Sequence, residues 1–165
     1  MNTFYVLVGS NINKRDNVLR CHQLLQEQTT VLAHSSVYET PAVGPDGCLQ
    51  QESFYNLAYK IESSLSVVQF DRVVCKAIER DLQRERTQDP FIARTIDVDI
   101  VLCNDVAAQY EHIILPALDI SQYAHVLVPL AELEPDYIHP VLNKKLSDIL
   151  RSFNHVLPIK KVDVL

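Results

Sequence analysis

Apolar and polar positions recur along this chain with two periods, and the switches between them mark its elements. Thr3–Ser10, TFYVLVGS, is a short apolar run rich in β-formers that ends in Gly-Ser-Asn, which predicts a strand and then a turn. Asn13 or a neighbour then caps a helix in which Val18, Cys21, Leu24 and Leu25 return at helical spacing. A second strand is expected over Thr30–Thr40, and Pro41–Ser53, with two glycines and two prolines, reads as a loop. Phe54–Ser63 alternates and predicts a third strand. From Leu65 to Glu85, Val67, Phe70, Val74, Ile78 and Leu82 form one apolar stripe, the mark of a long helix lying on a core. Thr95–Cys103 reads as a fourth strand. Beyond it the pattern is less regular, with a short helix near Leu146–Phe153 and a terminal strand from Val156. The order β-α-β-β-α-β predicts an α+β fold with a ferredoxin-like sheet in one domain spanning residues 1–165.

The fourth strand carries an oddity. Asp97 and Asp99 stand two residues apart inside FIARTIDVDIVL, and strand geometry puts them on one face with Thr95 and Val101. Ile96, Val98 and Ile100 take the other face, toward the helices. Two carboxylates this close repel unless a cation neutralises them. A divalent ion is the simplest one, since Mg2+ favours one or two carboxylates together with phosphate oxygens. A solvated acidic face is the plainer reading, and the pair alone does not exclude it. Five of the eight arginines lie between Arg72 and Arg94. Arg84 and Arg86 follow the long helix, and Arg94 opens the acid-bearing strand. Cations near a helix C-terminus also suit the helix dipole. Beside a metal-binding acid pair, however, they are what a polyphosphate needs.

Composition narrows the classes. A chain of 165 residues with 47% hydrophobic and 22% charged residues is ordinary globular material. A net charge of −6 argues against nucleic acid or an anionic membrane as partner. The four cysteines lie 27 or 28 positions apart without a CxxC pair, which disfavours structural zinc and a disulfide framework. No apolar run is long enough to span a bilayer, and MNTFYVLVGSN does not read as a signal peptide, so a cytoplasmic protein is expected. Three glycines cannot supply a P-loop or a dinucleotide fingerprint. Any nucleotide must therefore be held by metal and side chains. The six histidines form no HExxH or i,i+4 pair, and no GxSxG occurs.

Five segments share the order of one family: GSN at Gly9–Asn11, VYETPAVG at Val37–Gly44, FYN at Phe54–Asn56, RTIDVDIVL at Arg94–Leu102 and LVPLAELEP at Leu127–Pro135. From about Thr3 to Pro140 the chain resembles the 6-hydroxymethyl-7,8-dihydropterin pyrophosphokinases of folate biosynthesis. The resemblance implies a ferredoxin-like α/β/α arrangement in three layers, with C-terminal additions. It also implies transfer of pyrophosphate from ATP to the pterin's hydroxymethyl oxygen, with release of AMP. Asp97 and Asp99 would hold two Mg2+ ions, in an in-line displacement without a covalent intermediate. Arg84 and Arg94 would act with them in catalysis. Glu79, Arg84, Arg86, Arg94 and Ile100 would form the ATP side. Thr40, Pro41, Val43, Phe54, Asn56, Asp97 and His125 would form the pterin side. The expected partners are pterin and ATP alone, and a monomer is expected.

The chain also departs from the family pattern. Ile92-Ala93 stands where the family has Gly-Pro, Ala117 where it has histidine, Tyr123 where it has arginine, and His125 where it has a second stacking aromatic. From Thr95 to Asn143 there is no lysine or arginine, against eight acidic residues. Two alternatives stay open at this point: a pterin-binding paralogue without transferase activity, or a pyrophosphokinase of a different pterin alcohol.

Overall fold

In the computed structural model, which describes residues 1–43, 49–83, 95–154 and 158–165, the chain opens with β1 (Asn2–Ser10), α1 (Lys14–Gln28), β2 (Thr30–His34), β3 (Val37–Val43) and β4 (Leu49–Ser63). Then come α2 (Val67–Phe70), a π-helical turn (Asp71–Cys75), α3 (Lys76–Asp81) and β5 (Asp97–Cys103). The hairpin β6 (Ala108–Tyr110) and β7 (Ile113–Leu115), α4 (Ala124–Leu133), α5 (Leu146–Arg151) and β8 (Lys160–Val162) complete it. The main sheet is antiparallel, in the order β5-β1-β4-β3-β8, with β2 also paired to β4.

Each face of this sheet buries its own core. Phe4, Val6, Val8, Val98 and Ile100 face α1, α2 and α3, where Val18, Leu25, Phe70 and Ile78 complete the first core. Tyr5, Ala58, Val101 and Leu102 face α4 and α5, with Val126, Leu127, Leu130 and Ile149 in the second. The result is the expected three-layer α/β/α arrangement around a βαββαβ core. A register shift between Tyr5 and Val6 leaves Val101 as an extra residue of β5. That bulge lets Val101 and Leu102 both join the second core, while Val98 and Ile100 stay in the first.

Several local expectations are corrected. The strand expected over Thr30–Thr40 breaks at Ser35-Ser36, because Ser35 N–H donates to Ala58 O and its Oγ accepts from Ala58 N–H, both at 2.9 Å. The loop expected over Pro41–Ser53 is shorter, since β3 runs to Val43 and β4 begins at Leu49. The long helix starts at Val67, capped by Ser66, whose hydroxyl accepts from Gln69 N–H in a capping box; its middle is a π turn and α3 closes at Asp81. Asn13 sits at the N-cap of α1 in the left-handed region (φ 41°) without a side-chain cap bond. The irregular stretch contains a full helix, α4, despite Pro129. Proline normally signals a break, but burial of Val126, Leu127, Leu130 and Ala131 outweighs one missing backbone bond. A terminal strand is present at Lys160–Val162, and Val156, from which it is expected, lies outside the described residues.

Candidate active site

The pattern of β5 does place the acids and the aliphatics on opposite faces. Val98 is buried in the first core, while Asp99 is exposed and Asp97 half-buried on the other side. β5 is an edge strand, so its outward N–H and C=O groups have no ladder partner among the described residues. Helix α3 covers that edge. The buried Glu79 accepts from Val98 N–H at 3.1 Å, and Lys76 Nζ reaches Val98 O at 3.5 Å. Edge capping thus draws Glu79 to the acid pair. Glu79, Asp97 and Asp99 each offer a carboxylate oxygen, and these oxygens all lie within 4.8 Å of one another. An all-oxygen carboxylate set of that span fits a hard divalent cation such as Mg2+. Beside it, Thr95 Oγ1 is buried with no hydrogen-bond partner among the described residues.

Lys76 lies within this group. Its Nζ is 3.0 Å from Glu79 Oε1, 3.5 Å from Asp99 Oδ1 and 3.8 Å from Asp71 Oδ1. Burial works against the charged ammonium, but Asp99, Glu79 and Asp71 outweigh it and hold Lys76 above its ordinary range. Asp71 is itself buried and meets His112 Nε2 at 3.2 Å. Asp71, Lys76, Asp99 and His112 border a cavity of about 320 Å3 whose walls also include Leu7, Ile100, Ile114, Leu118 and Val126. The lining combines charged Asp71, Lys76, Asp99 and Asp119 with aliphatic side chains, a mixture that suits a ligand with both a charged and an apolar part.

A second group lies across the sheet from Asp97. In register, Asp97 pairs with Gly9, Gly9 with Asn56, and Asn56 with Tyr38, so these positions share one face. Thr40 and Phe54 pair with each other two residues along, on the same face. Asn56 is buried and its Nδ2 donates to Thr40 Oγ1 at 2.8 Å. Gly9 makes room for it, because a Cβ at residue 9 would come within 3.0 Å of Asn56 Oδ1. The glycine leaves a floor without a side chain between Asp97 and Asn56.

The family pattern of 7,8-dihydro-6-hydroxymethylpterin-pyrophosphokinase (HPPK) matches residues 5–135. The chain belongs to this family. It is 36% identical over 135 residues to the 2-amino-4-hydroxy-6-hydroxymethyldihydropteridine pyrophosphokinase of Bacillus subtilis, covering 80% of this chain and 78% of that protein. It is 31% identical over 145 residues to the folic acid synthesis protein FOL1 of Dictyostelium discoideum, covering 86% of this chain. The chain spans only 21% of the length of that relative. Among solved structures it resembles wild-type Plasmodium falciparum HPPK-DHPS with pteroate, with a TM-score of 0.70 at 16% identity over 92% of this chain and 42% of that one. That likeness supports the fold.

Within this HPPK fold, the expected site residues divide into three sets. Asp97, Asp99 and Glu79 converge at the β5 edge, and Asp99 and Ile100 line the adjoining cavity. Thr40, Phe54 and Asn56 come together on β3 and β4, whereas Pro41 pairs with Ser53 and is out of phase with Thr40. Arg84, Arg86 and Arg94 lie outside the described residues, as does the side chain of Val43. His125 sits in the first turn of α4, half-buried over the second core, and its ring stacks on Tyr123 with centroids 5.3 Å apart. Burial lowers the His125 pKa, with Asp119 partly opposing, so the ring favours its neutral form. Buried His139 has a structural task, its Nδ1 accepting from Val141 and Leu142 N–H. Cys21, Cys75 and Cys103 are free and buried, and burial raises the pKa of each thiol, so none is an activated nucleophile. No helix among the described residues is long and apolar enough to cross a membrane.

Asp71, Lys76, His112 and the spacing role of Gly9 escape the sequence reading. Asp71 and Lys76 are five residues apart, which an ideal α-helix places on different sides. The π turn closes that gap, with Lys76 N–H donating to Asp71 O. No sequence pattern announces that turn.

Proposed function

We propose that this chain transfers the pyrophosphoryl group of ATP to the hydroxymethyl oxygen of 6-hydroxymethyl-7,8-dihydropterin in folate biosynthesis, releasing AMP. The observation that carries the reading is the register Asp97–Gly9–Asn56. It sets a carboxylate cluster two strand spacings, about 10 Å, from a preassembled hydrogen-bonding pair on one sheet face. A flat pterin resting over Gly9 would meet Asn56 and Thr40 at its polar edge and Phe54 on its face. Its hydroxymethyl group would then point to Asp97. In the reaction the hydroxymethyl oxygen bonds to the β-phosphorus, the bond from that phosphorus to the α,β-bridging oxygen breaks, and AMP leaves with that oxygen. The hydroxyl proton passes to solvent.

Two Mg2+ ions on Asp97 and Asp99, when bound, would neutralise triphosphate charge and acidify the attacking hydroxyl. Glu79 orients the cluster through Val98 N–H, and Ile100 with its aliphatic neighbours takes the apolar part of the nucleotide. Arg84, Arg86 and Arg94 are assigned to the phosphates. His125 and Tyr123 close the pterin side from α4. In this reading the chain acts as a cytoplasmic monomer with pterin and ATP as its partners. The test is AMP release by the purified protein with ATP and Mg2+. Formation of AMP equimolar with the pterin pyrophosphate is expected. No AMP beyond a pterin-free control, or an undiminished rate in Asp97→Ala, overturns the reading.

A further inference from the structure

Lys76 contends for the oxygens that a metal would use. Its Nζ lies 3.0 Å from Glu79 Oε1 and 3.5 Å from Asp99 Oδ1, and both residues belong to the converging carboxylate set. Mg2+ binds oxygens at about 2.0–2.1 Å, so an ion on the same atoms would be an immediate neighbour of the ammonium. Two cations so placed repel. The ammonium has somewhere to go. Lysine carries a compact charge on a flexible stem, and Lys76 lines the cavity together with Asp99, Ile100 and His112. Asp71 Oδ1, 3.8 Å away on the same cavity wall, anchors the displaced position. That cavity is the one assigned above to the nucleotide, and the chain from Thr95 to Asn143 contributes no lysine or arginine to it.

We propose that Lys76 is an exchangeable counter-ion that becomes a phosphate-binding residue. In the ion-free protein it holds Glu79 and Asp99 together. When metal and nucleotide enter, it turns from those carboxylates to the triphosphate, taking the charge role left open where Tyr123 replaces an arginine. The inference rests on the pyrophosphokinase reading of the site. It makes metal alone a poor ligand and the metal–nucleotide complex a good one.

The experiment measures binding of Mn2+, alone and with a non-hydrolysable ATP analogue, to the full chain by electron paramagnetic resonance. In Lys76→Met, Mn2+ alone binds about fivefold to tenfold tighter, because a competing charge is gone. The Mn2+–analogue complex binds about tenfold weaker, for want of a charge-assisted phosphate contact. Lys76→Arg restores nucleotide affinity to within about threefold of wild type. Opposite shifts of the two affinities are not a product of misfolding. Unchanged affinities, or shifts in the same direction, overturn the role of Lys76 while a wild-type site that Asp97→Ala abolishes leaves the pyrophosphokinase reading standing. If Asp97→Ala binds Mn2+ with the analogue as well as wild type does, the metal site fails and this inference fails with it.

Discussion

Two carboxylate sites on opposite faces of the same sheet show how differently a β-strand can use acid. Glu39, on β3, meets Lys14 Nζ at 2.8 Å, Lys160 Nζ at 3.2 Å and the Ser53 hydroxyl at 2.6 Å. The bond from Lys14, aided by Ser53, lowers its pKa to about 2. Its complement is built into the fold, so it ties α1, β4 and β8 to β3. At the β5 edge, by contrast, Glu79, Asp97 and Asp99 converge on one another, with Asp71 close by Lys76. Convergence of like charges does nothing for stability by itself. Several lysines around one acid hold a fold together; acids that converge on one another around Lys76 are also positioned for something that comes and goes.

The largest effect that would break this contrast is catalytic. Asp97→Ala and Asp99→Ala are each expected to lower AMP formation by about a thousandfold or more, with a smaller loss of thermal stability than Glu39→Gln causes. Equal losses of stability would mean that both acid sites are structural. Next comes Asn56→Ala, which leaves Thr40 Oγ1 without its donor and removes an assigned pterin contact. Pterin affinity, read by calorimetry, is expected to fall by about tenfold to a hundredfold, with nucleotide affinity unchanged.

Glu39→Gln sharpens the other half. A depressed folded pKa stabilises above the ordinary carboxylate value of 4.5, and this contribution fades as pH falls toward about 2. The variant should therefore lose about 1–2 kcal/mol at pH 7 and about half of that or less at pH 3, with AMP formation unaltered. A penalty independent of pH, seen in urea unfolding, would count against the ion-pair account. The smallest effect belongs to His125→Phe. The native ring is held neutral by burial, so its folded pKa lies below 6.5 and stability falls as pH drops below that value. The phenylalanine variant should lack this acid-side loss and retain pterin affinity within about threefold. A larger loss of affinity would assign His125 a hydrogen bond to the ligand.

Much of this was legible in the sequence, for reasons that can be named. The stripe Val67–Phe70–Val74–Ile78 and the alternation Ile96–Val98–Ile100 are local patterns, and periodicity reports which face a residue takes. Asp97 and Asp99 stand out because charge at alternate positions of an apolar strand is costly. Helix α4 escaped because Pro129 is a local stop signal, overruled by burial in a core whose other half comes from β1, β4 and β5. The break at Ser35 escaped because its cause is a pair of bonds to Ala58, on another strand.

The sequence by itself determined which faces of the periodic helices and strands are buried, the acid-bearing strand and the family, since all three rest on residue type and spacing along the chain. Only the tertiary structure decided that β5 lies at an edge, and from that position the rest of the site follows. An edge strand has unpaired N–H and C=O groups, which bring Glu79 and Lys76 to the acids. Register across β5, β1 and β4 then sets Gly9 between Asp97 and Asn56. Contacts between residues far apart in sequence carry no period, and they decide what the acids meet.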